Sequence, residues 1–114
     1  MRVFVYYNLH KKLFSIKALE GPNKGRVIAH RKELSLDYVE FRVSEAGRQR
    51  VLREKRKNVH AGVHGYWYDT EFAVDNEIEV TYNPYKYKTF VFKHNERMIT
   101  WARNAHLVDK RIYV

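Results

Sequence analysis

Ser44–Gly65, SEAGRQRVLREKRKNVHAGVHG, decides how the chain is read, because it combines a helix signal with a concentration of charge. Ser44 has the chemistry of an N-cap: its hydroxyl can accept from the free amides of the first turn, and Glu45 puts negative charge at the positive end of the helix. Gln49 to Lys57 are strong helix formers, Gly47 costs about 1 kcal/mol relative to alanine, and Gly62 suits a stop. The expected element is one principal basic helix over about 45–60. Its end passes into a glycine-containing loop, Asn58–Gly65, that carries His60 and His64. On that helix Arg48, Val51, Leu52, Lys55 and Val59 share a narrow face completed by the aliphatic stems of basic residues. Arg50, Arg53, Lys57 and His60 form a second face, turned to solvent or to a partner. Glu45 to Lys57 hold six basic and two acidic residues, so this segment supplies +4 of the chain's net +9.

Upstream, Arg2–Asn8 alternates Val3, Val5 and Tyr7 with Phe4 and Tyr6, a strand apolar on both sides and therefore central. Asn8, His10, Lys11 and Lys12 interrupt the pattern and Leu13–Leu19 resumes it, which predicts a hairpin with a polar tip of about four residues. EGPNKG (Glu20–Gly25) is a turn or wide loop. Arg26–His30 and Leu36–Val43 read as strands, the latter with Val39, Phe41 and Val43 inward and Tyr38, Glu40 and Arg42 outward. Downstream, Tyr66, Trp67, Tyr68 and Phe72, then Ile78, Val80 and Tyr82, continue the strand signal, with Trp67 and Phe90 expected in the core. Asn83-Pro84 and His94-Asn95-Glu96 are turns, Phe90–Lys93 and Arg97–Trp101 are further strands, and Leu107–Val114 pairs as a last edge strand. The fold class expected is α+β: a mainly antiparallel sheet with the basic helix inserted after the fourth strand.

With 114 residues, 45% of them hydrophobic and 15% aromatic, the chain can build the core of a single domain spanning 1–114. Without cysteine there is neither a disulfide nor a thiolate metal site, and no apolar run approaches the ~20 residues of a membrane span. The N-terminus lacks the pattern of a secretory signal, so a cytoplasmic protein whose mature form is the whole chain is expected, with no membrane partner. A pI near 9.8 attracts polyanions.

Three functions compete. The first is nucleic-acid binding through Arg50, Arg53, Arg56 and Lys57, helped by Lys11, Lys12 and the tyrosines of YNPYKY, Tyr85 and Tyr87 above all. Most contacts would go to phosphates, and the interleaved aromatics of Tyr66-Trp67-Tyr68 and Tyr82–Lys88 suit stacking on unpaired bases, against the ordinary alternative that alternating strand aromatics form core. The second is metal-independent ribonuclease or phosphoryl-transfer chemistry, with His10, Lys11, His60 and Tyr87 as candidate acid, base and charge-stabilising groups. Any basic protein with six histidines offers such a list, and a non-enzymatic protein is the preferred expectation. The third is an anti-defence protein that inhibits a host factor by protein–protein binding. His60 and His64 have i, i+4 spacing but no third ligand nearby, and the EGPNKG loop lacks the Lys-Ser/Thr half of a P-loop, so no metal and no cofactor are expected.

VFVYYNLHKKLFSIKALEGPNKGRVIAH and RVSEAGRQRVLREKRKNVHAGVHG resemble segments of small accessory proteins of tailed bacteriophages and prophages, with a looser likeness at YNPYKY. The resemblance implies a setting, the cytoplasm of an infected bacterium, rather than an activity; the partner expected from the basic residues is nucleic acid or a host nucleoprotein. The likeness carries no catalytic motif.

Overall fold

Alternating apolar residues at the start of the chain form β1 (Arg2–Asn8), which turns through a four-residue tip into β2 (Leu13–Ala18). Lys12 takes the left-handed conformation there, at φ 57°, and its amide donates to the Asn8 carbonyl. The Asn8 side chain accepts from the amides of His10 and Lys11, which fastens the tip. The chain continues through β3 (Val27–Arg31), β4 (Glu33–Val43), helix α1 (Glu45–Glu54), β5 (Ala61–Tyr66), β6 (Glu79–Thr81), β7 (Val91–Phe92), β8 (Trp101–Val108) and β9 (Arg111–Tyr113). This computed structural model describes residues 1–68 and 76–114, so the strand expected around Phe72 lies outside the described residues.

The nine strands join into one antiparallel sheet in the order β3-β2-β1-β5-β4-β8-β9-β6-β7. The α+β expectation is thereby corrected: the protein is largely β, with one short helix. The last segment is not an edge either, since β9 lies between β8 and β6. One hydrophobic cluster runs along one face of the sheet. It is built from Val3, Val5, Phe14 and Ile16 on one side, from Leu34, Leu36, Val39, Phe41 and Val63 in the middle, and from Val80, Ala105 and Leu107 on the other. Phe90 and Ile99, with Trp67, Tyr82 and Val114 packed alongside, cover it from outside the strands. Lys110, in the β8–β9 turn, sits 5.8 Å from the ring of Tyr7 on β1. Three strand spacings separate β1 from β8, about 14 Å on a flat sheet, so the sheet curls around its core.

The helix is ten residues long rather than the sixteen expected, and the supposed loop after it is mostly strand β5. Ser44 caps the helix as the sequence implies, its Oγ accepting from the Gly47 amide at 3.2 Å. The far end stops at Lys55, which adopts φ 54° and donates its amide to the Val51 carbonyl. Helix propensity at Lys55–Lys57 is overridden by the ladder: Val43 faces Ala61 across the β4–β5 pair, and the Ser44 amide donates to the His60 carbonyl at 2.7 Å. The helix is an excursion from an antiparallel strand pair, and the chain must leave it early to close that pair. In consequence Val59 is exposed instead of completing an apolar stripe. The buried helix positions are Val51 and Arg48, whose Nε donates to the carbonyls of Pro84 and Tyr87 at 3.1 Å each. Arg48 therefore clamps the 84–87 turn beneath the helix.

Both glycines of β5 stand in close quarters, and at Gly62 the absence of a side chain is a steric requirement. A Cβ at Gly62 would stand 2.5 Å from both the Phe4 ring and the Val5 carbonyl oxygen. A Cβ at Gly65 would stand 3.1 Å from Leu36, Asp37 and Val39. Gly65 faces the one irregularity of the central strands, where the β4–β5 register slips between Asp37 and Glu40. Tyr38 sits in this bulge at φ 50°, an unusual conformation for a bulky residue.

Gly62→Ala is expected to destabilise the fold by about 2 kcal/mol through overpacking against Phe4 and the β1 backbone, read as a lowered midpoint in urea unfolding. Tyr82 gives a second expectation, since its hydroxyl lies 2.7 Å from His60 Nε2 and its ring packs on Phe90. Burial pushes this phenol up to about 12. The folded phenol keeps its proton where the unfolded one loses it, so this stabilisation is intact below pH 10 and is lost as pH rises through about 12. An ultraviolet difference titration of wild type against Tyr82→Phe should show the missing phenol ionising last, and a missing component near pH 10 would contradict the assignment.

Candidate functional site

The basic segment emerges from the fold divided. Arg48 is consumed by the turn beneath the helix and by Glu45, whose Oε1 lies 3.2 Å from Arg48 Nη1. Gln49 donates to the same carboxylate at 2.8 Å and, with help from Arg48, holds it below the usual carboxylate range. Arg50, Arg53, Lys55, Arg56 and Lys57 are all exposed, and none has an ion-pair partner among the described residues. Elsewhere Lys86, Lys93 and Arg111 each sit within 4 Å of a glutamate. What distinguishes the 50–57 segment is that five exposed cations stand together there.

The other sequence candidates sit on several elements, with His60 and the Tyr87 carbonyl both against the first turn of the helix. His10, Lys11 and Lys12 occupy the β1–β2 tip. His60 is held from both sides, Nδ1 at 2.8 Å from the Asn58 carbonyl and Nε2 on Tyr82. Tyr87 donates its hydroxyl to Glu96 at 2.7 Å, and Lys86 pairs with the same carboxylate at 3.0 Å. These two contacts, the Tyr87 hydrogen bond first, lower the Glu96 pKa. Tyr85 stands exposed beside them. Of the interleaved aromatics, Trp67 turns onto the core under the Arg31 guanidinium, at 5.3 Å, whereas Tyr66 and Tyr68 remain exposed. No hydrogen bond or ring contact joins His10, His60 and Tyr87 to one another, and His60 and Tyr87 are each bonded elsewhere.

The structure assembles a different constellation on the outer face of β1, β5, β4 and β8. Strand register lays Phe4, His64, Glu40 and Trp101 in one row, Phe4 facing His64, His64 facing Glu40, and Glu40 facing Trp101. The next row sets Arg2 opposite Tyr66 and Tyr66 opposite Asp37, with Tyr38 thrust out beside it by the bulge. Between the rows lies an open cleft of about 260 Å³, lined by Arg2, Tyr38, Glu40, Arg42, His64, Gly65, Tyr66 and Trp101. Tyr38 and Trp101 are each 55% exposed and Tyr66 38%, well above what large rings normally show. Tyr38 and Tyr66 meet edge to face at 6.4 Å, while Trp101 makes no ring contact among the described residues. Arg42 is paired with Glu40, and the Arg2 guanidinium has no ion-pair partner among the described residues. Burial, then the nearby Arg42, holds His64 below the ordinary histidine range, so the imidazole is neutral at pH 7. The cleft thus offers three exposed rings, a neutral imidazole, one ion pair and one spare cation.

A second polar cluster lies within the sheet ladder. Ser35 Oγ lies 3.1 Å from His106 Nδ1, and His106 Nε2 lies 2.8 Å from Glu33 Oε1, the connectivity of a serine–histidine–carboxylate relay. Ser35 is only 7% exposed, however, and Ser35 and His106 are direct cross-strand neighbours. Ser15 and His30, another cross-strand pair, repeat the bond at 3.0 Å with Ser15 fully buried. Serine opposite histidine is this sheet's way of satisfying buried hydroxyls. Among the described residues no helix is long and apolar enough to cross a membrane.

The profile of a family described as the Mycobacterium phage L5 gene 82 protein matches residues 1–114. The gene 82 protein of Mycobacterium phage L5 is 37% identical over 118 residues, a similarity covering 98% of this chain and 94% of that protein. No solved structure matches. With the whole length matched and the relative covered almost end to end, the chain belongs to the Mycobacterium phage L5 gene 82 protein family, a family of bacteriophage proteins.

Proposed function

We propose that this phage protein binds nucleic acid, and that Arg50, Arg53, Arg56 and Lys57 take the phosphates, with Lys55 beside them. The observation that carries the reading is the clustering of five exposed cations within 50–57, none with an ion-pair partner among the described residues. Unpaired guanidinium groups fixed on a short helix and its exit segment present forked donors to an anionic strand without first having to break an internal ion pair. Contacts of this kind give affinity without sequence choice. The short helix, with a bulky sheet behind it and no second helix before it, suits backbone contact better than groove reading.

The bonds already made by His60 and Tyr87 favour binding over phosphodiester cleavage, because a general base must have a free nitrogen within reach of its proton. Binding to an acidic host protein by the same bare cations is the competing outcome, and the experiment separates the two. Fluorescence anisotropy of a labelled oligonucleotide, titrated across salt, should show affinity falling steeply as salt rises. Replacing Arg50, Arg53, Arg56 and Lys57 together by Gln should flatten the log–log slope by roughly 0.7 for each single-strand phosphate no longer neutralised. Failure to bind DNA or RNA even at low salt removes the proposal and leaves the protein-partner reading.

A further inference from the structure

We infer that the cleft between β1, β5, β4 and β8 is a stacking site for an unpaired nucleobase, so that the nucleic acid bound is single-stranded. The inference rests on the nucleic-acid reading above but on wholly different residues. Three large rings, Tyr38, Tyr66 and Trp101, are held in water around one cleft. Exposed rings cost solubility and gain nothing for a fold whose core lies on the opposite face.

Tyr38 shows that the arrangement is built rather than incidental. It is displayed by a bulge, in a left-handed backbone conformation that is strained for a bulky residue. Trp101 stands apart from the two tyrosines, so one of its faces is available to a planar guest.

The polar groups select among planar guests. At about 260 Å³ the cleft lies below the range of drug-sized pockets, which suits a single monomer unit of a longer chain. Arg2, with no internal ion-pair partner among the described residues, and Arg42 stand at the cleft to receive the phosphates flanking the base. The neutral imidazole of His64 can donate through one nitrogen and accept through the other, and Glu40 can accept from an exocyclic amine, so the edge of the base finds complementary partners. A paired base inside a duplex exposes neither its face nor its full edge, which is why the guest must be unpaired. A neutral sugar ring could also lie on the rings but would leave the arginines without an anion.

The test compares a twelve-residue oligothymidylate and a duplex of the same length, using wild type and Trp101→Ala, a substitution at an exposed position that leaves the core untouched. Wild type should prefer the single strand by about tenfold or more, with quenching of tryptophan fluorescence. Trp101→Ala should lose about tenfold in single-strand affinity and most of the quenching, while keeping its duplex affinity and its salt slope. Equal affinity of wild type for both oligonucleotides, with Trp101→Ala unchanged, overturns the stacking site while leaving phosphate binding intact. No binding of either oligonucleotide overturns both proposals. Quenching of wild type by a neutral oligosaccharide such as chitohexaose, but not by the oligonucleotide, also overturns the assignment.

Discussion

Everything in this fold leans on the close approach of β5 to its two neighbours. β5 lies in the middle of the sheet, between β1 and β4, and carries glycine at 62 and 65. At the first glycine the Phe4 ring lies over the backbone; at the second, Leu36, Asp37 and Val39 of β4 crowd in to 3.1 Å of where a Cβ would stand. Glycine inside a strand weakens it locally, through poorer packing and a larger backbone entropy cost. Here that weakness is offset by the ladders on either side and by Val63, which is fully buried between the glycines. The same short strand therefore anchors the core on one face and sets the shape of the cleft on the other.

This constraint also explains which parts of the fold could be read from the sequence. Val3, Val5, Val39 and Phe41 announce their strands through alternation, because side-chain direction along a strand is a local property. Ser44 announces its cap for a similar reason. The end of the helix and the beginning of β5 do not announce themselves. Lys55, Arg56 and Lys57 favour helix, and AGVHG has the composition of a loop, yet the ladder from Val43 to Ala61 decides both. Tertiary pairing outweighs propensity at such boundaries. The largely β class has the same origin, since the helix stops short and a strand stands where a loop was expected.

The site was legible only in halves. The outward direction of Tyr38, Glu40 and Arg42 followed from the period-two pattern, and the bare cations of 50–57 from simple charge counting. Trp101 had no visible link to Tyr38 or Tyr66, which lie far from it in sequence and from each other. Only the strand order joins them, since β4 meets β8 on one side and β5 on the other. The bulge at Tyr38 gives no local signal, because the residue conventionally found in a left-handed bulge is glycine and here it is tyrosine. Conversely, Arg48 looked like part of the basic surface and proved to be a buried clamp, a role written in Pro84 and Tyr87 rather than in the helix.

The open order of the sheet ends at β3 and β7, and at β7 residues 97–99 bridge back onto the strand. Open rims invite copies of the same chain to add on, strand against strand, and the hazard grows with protein concentration. One rim is blunted by brevity, since β7 is only two residues long. The other is bracketed by Arg26, Arg31 and Lys32. Mutual repulsion between molecules carrying a net +9 adds to that protection, so the excess charge that suits a polyanionic ligand also discourages self-assembly into fibres.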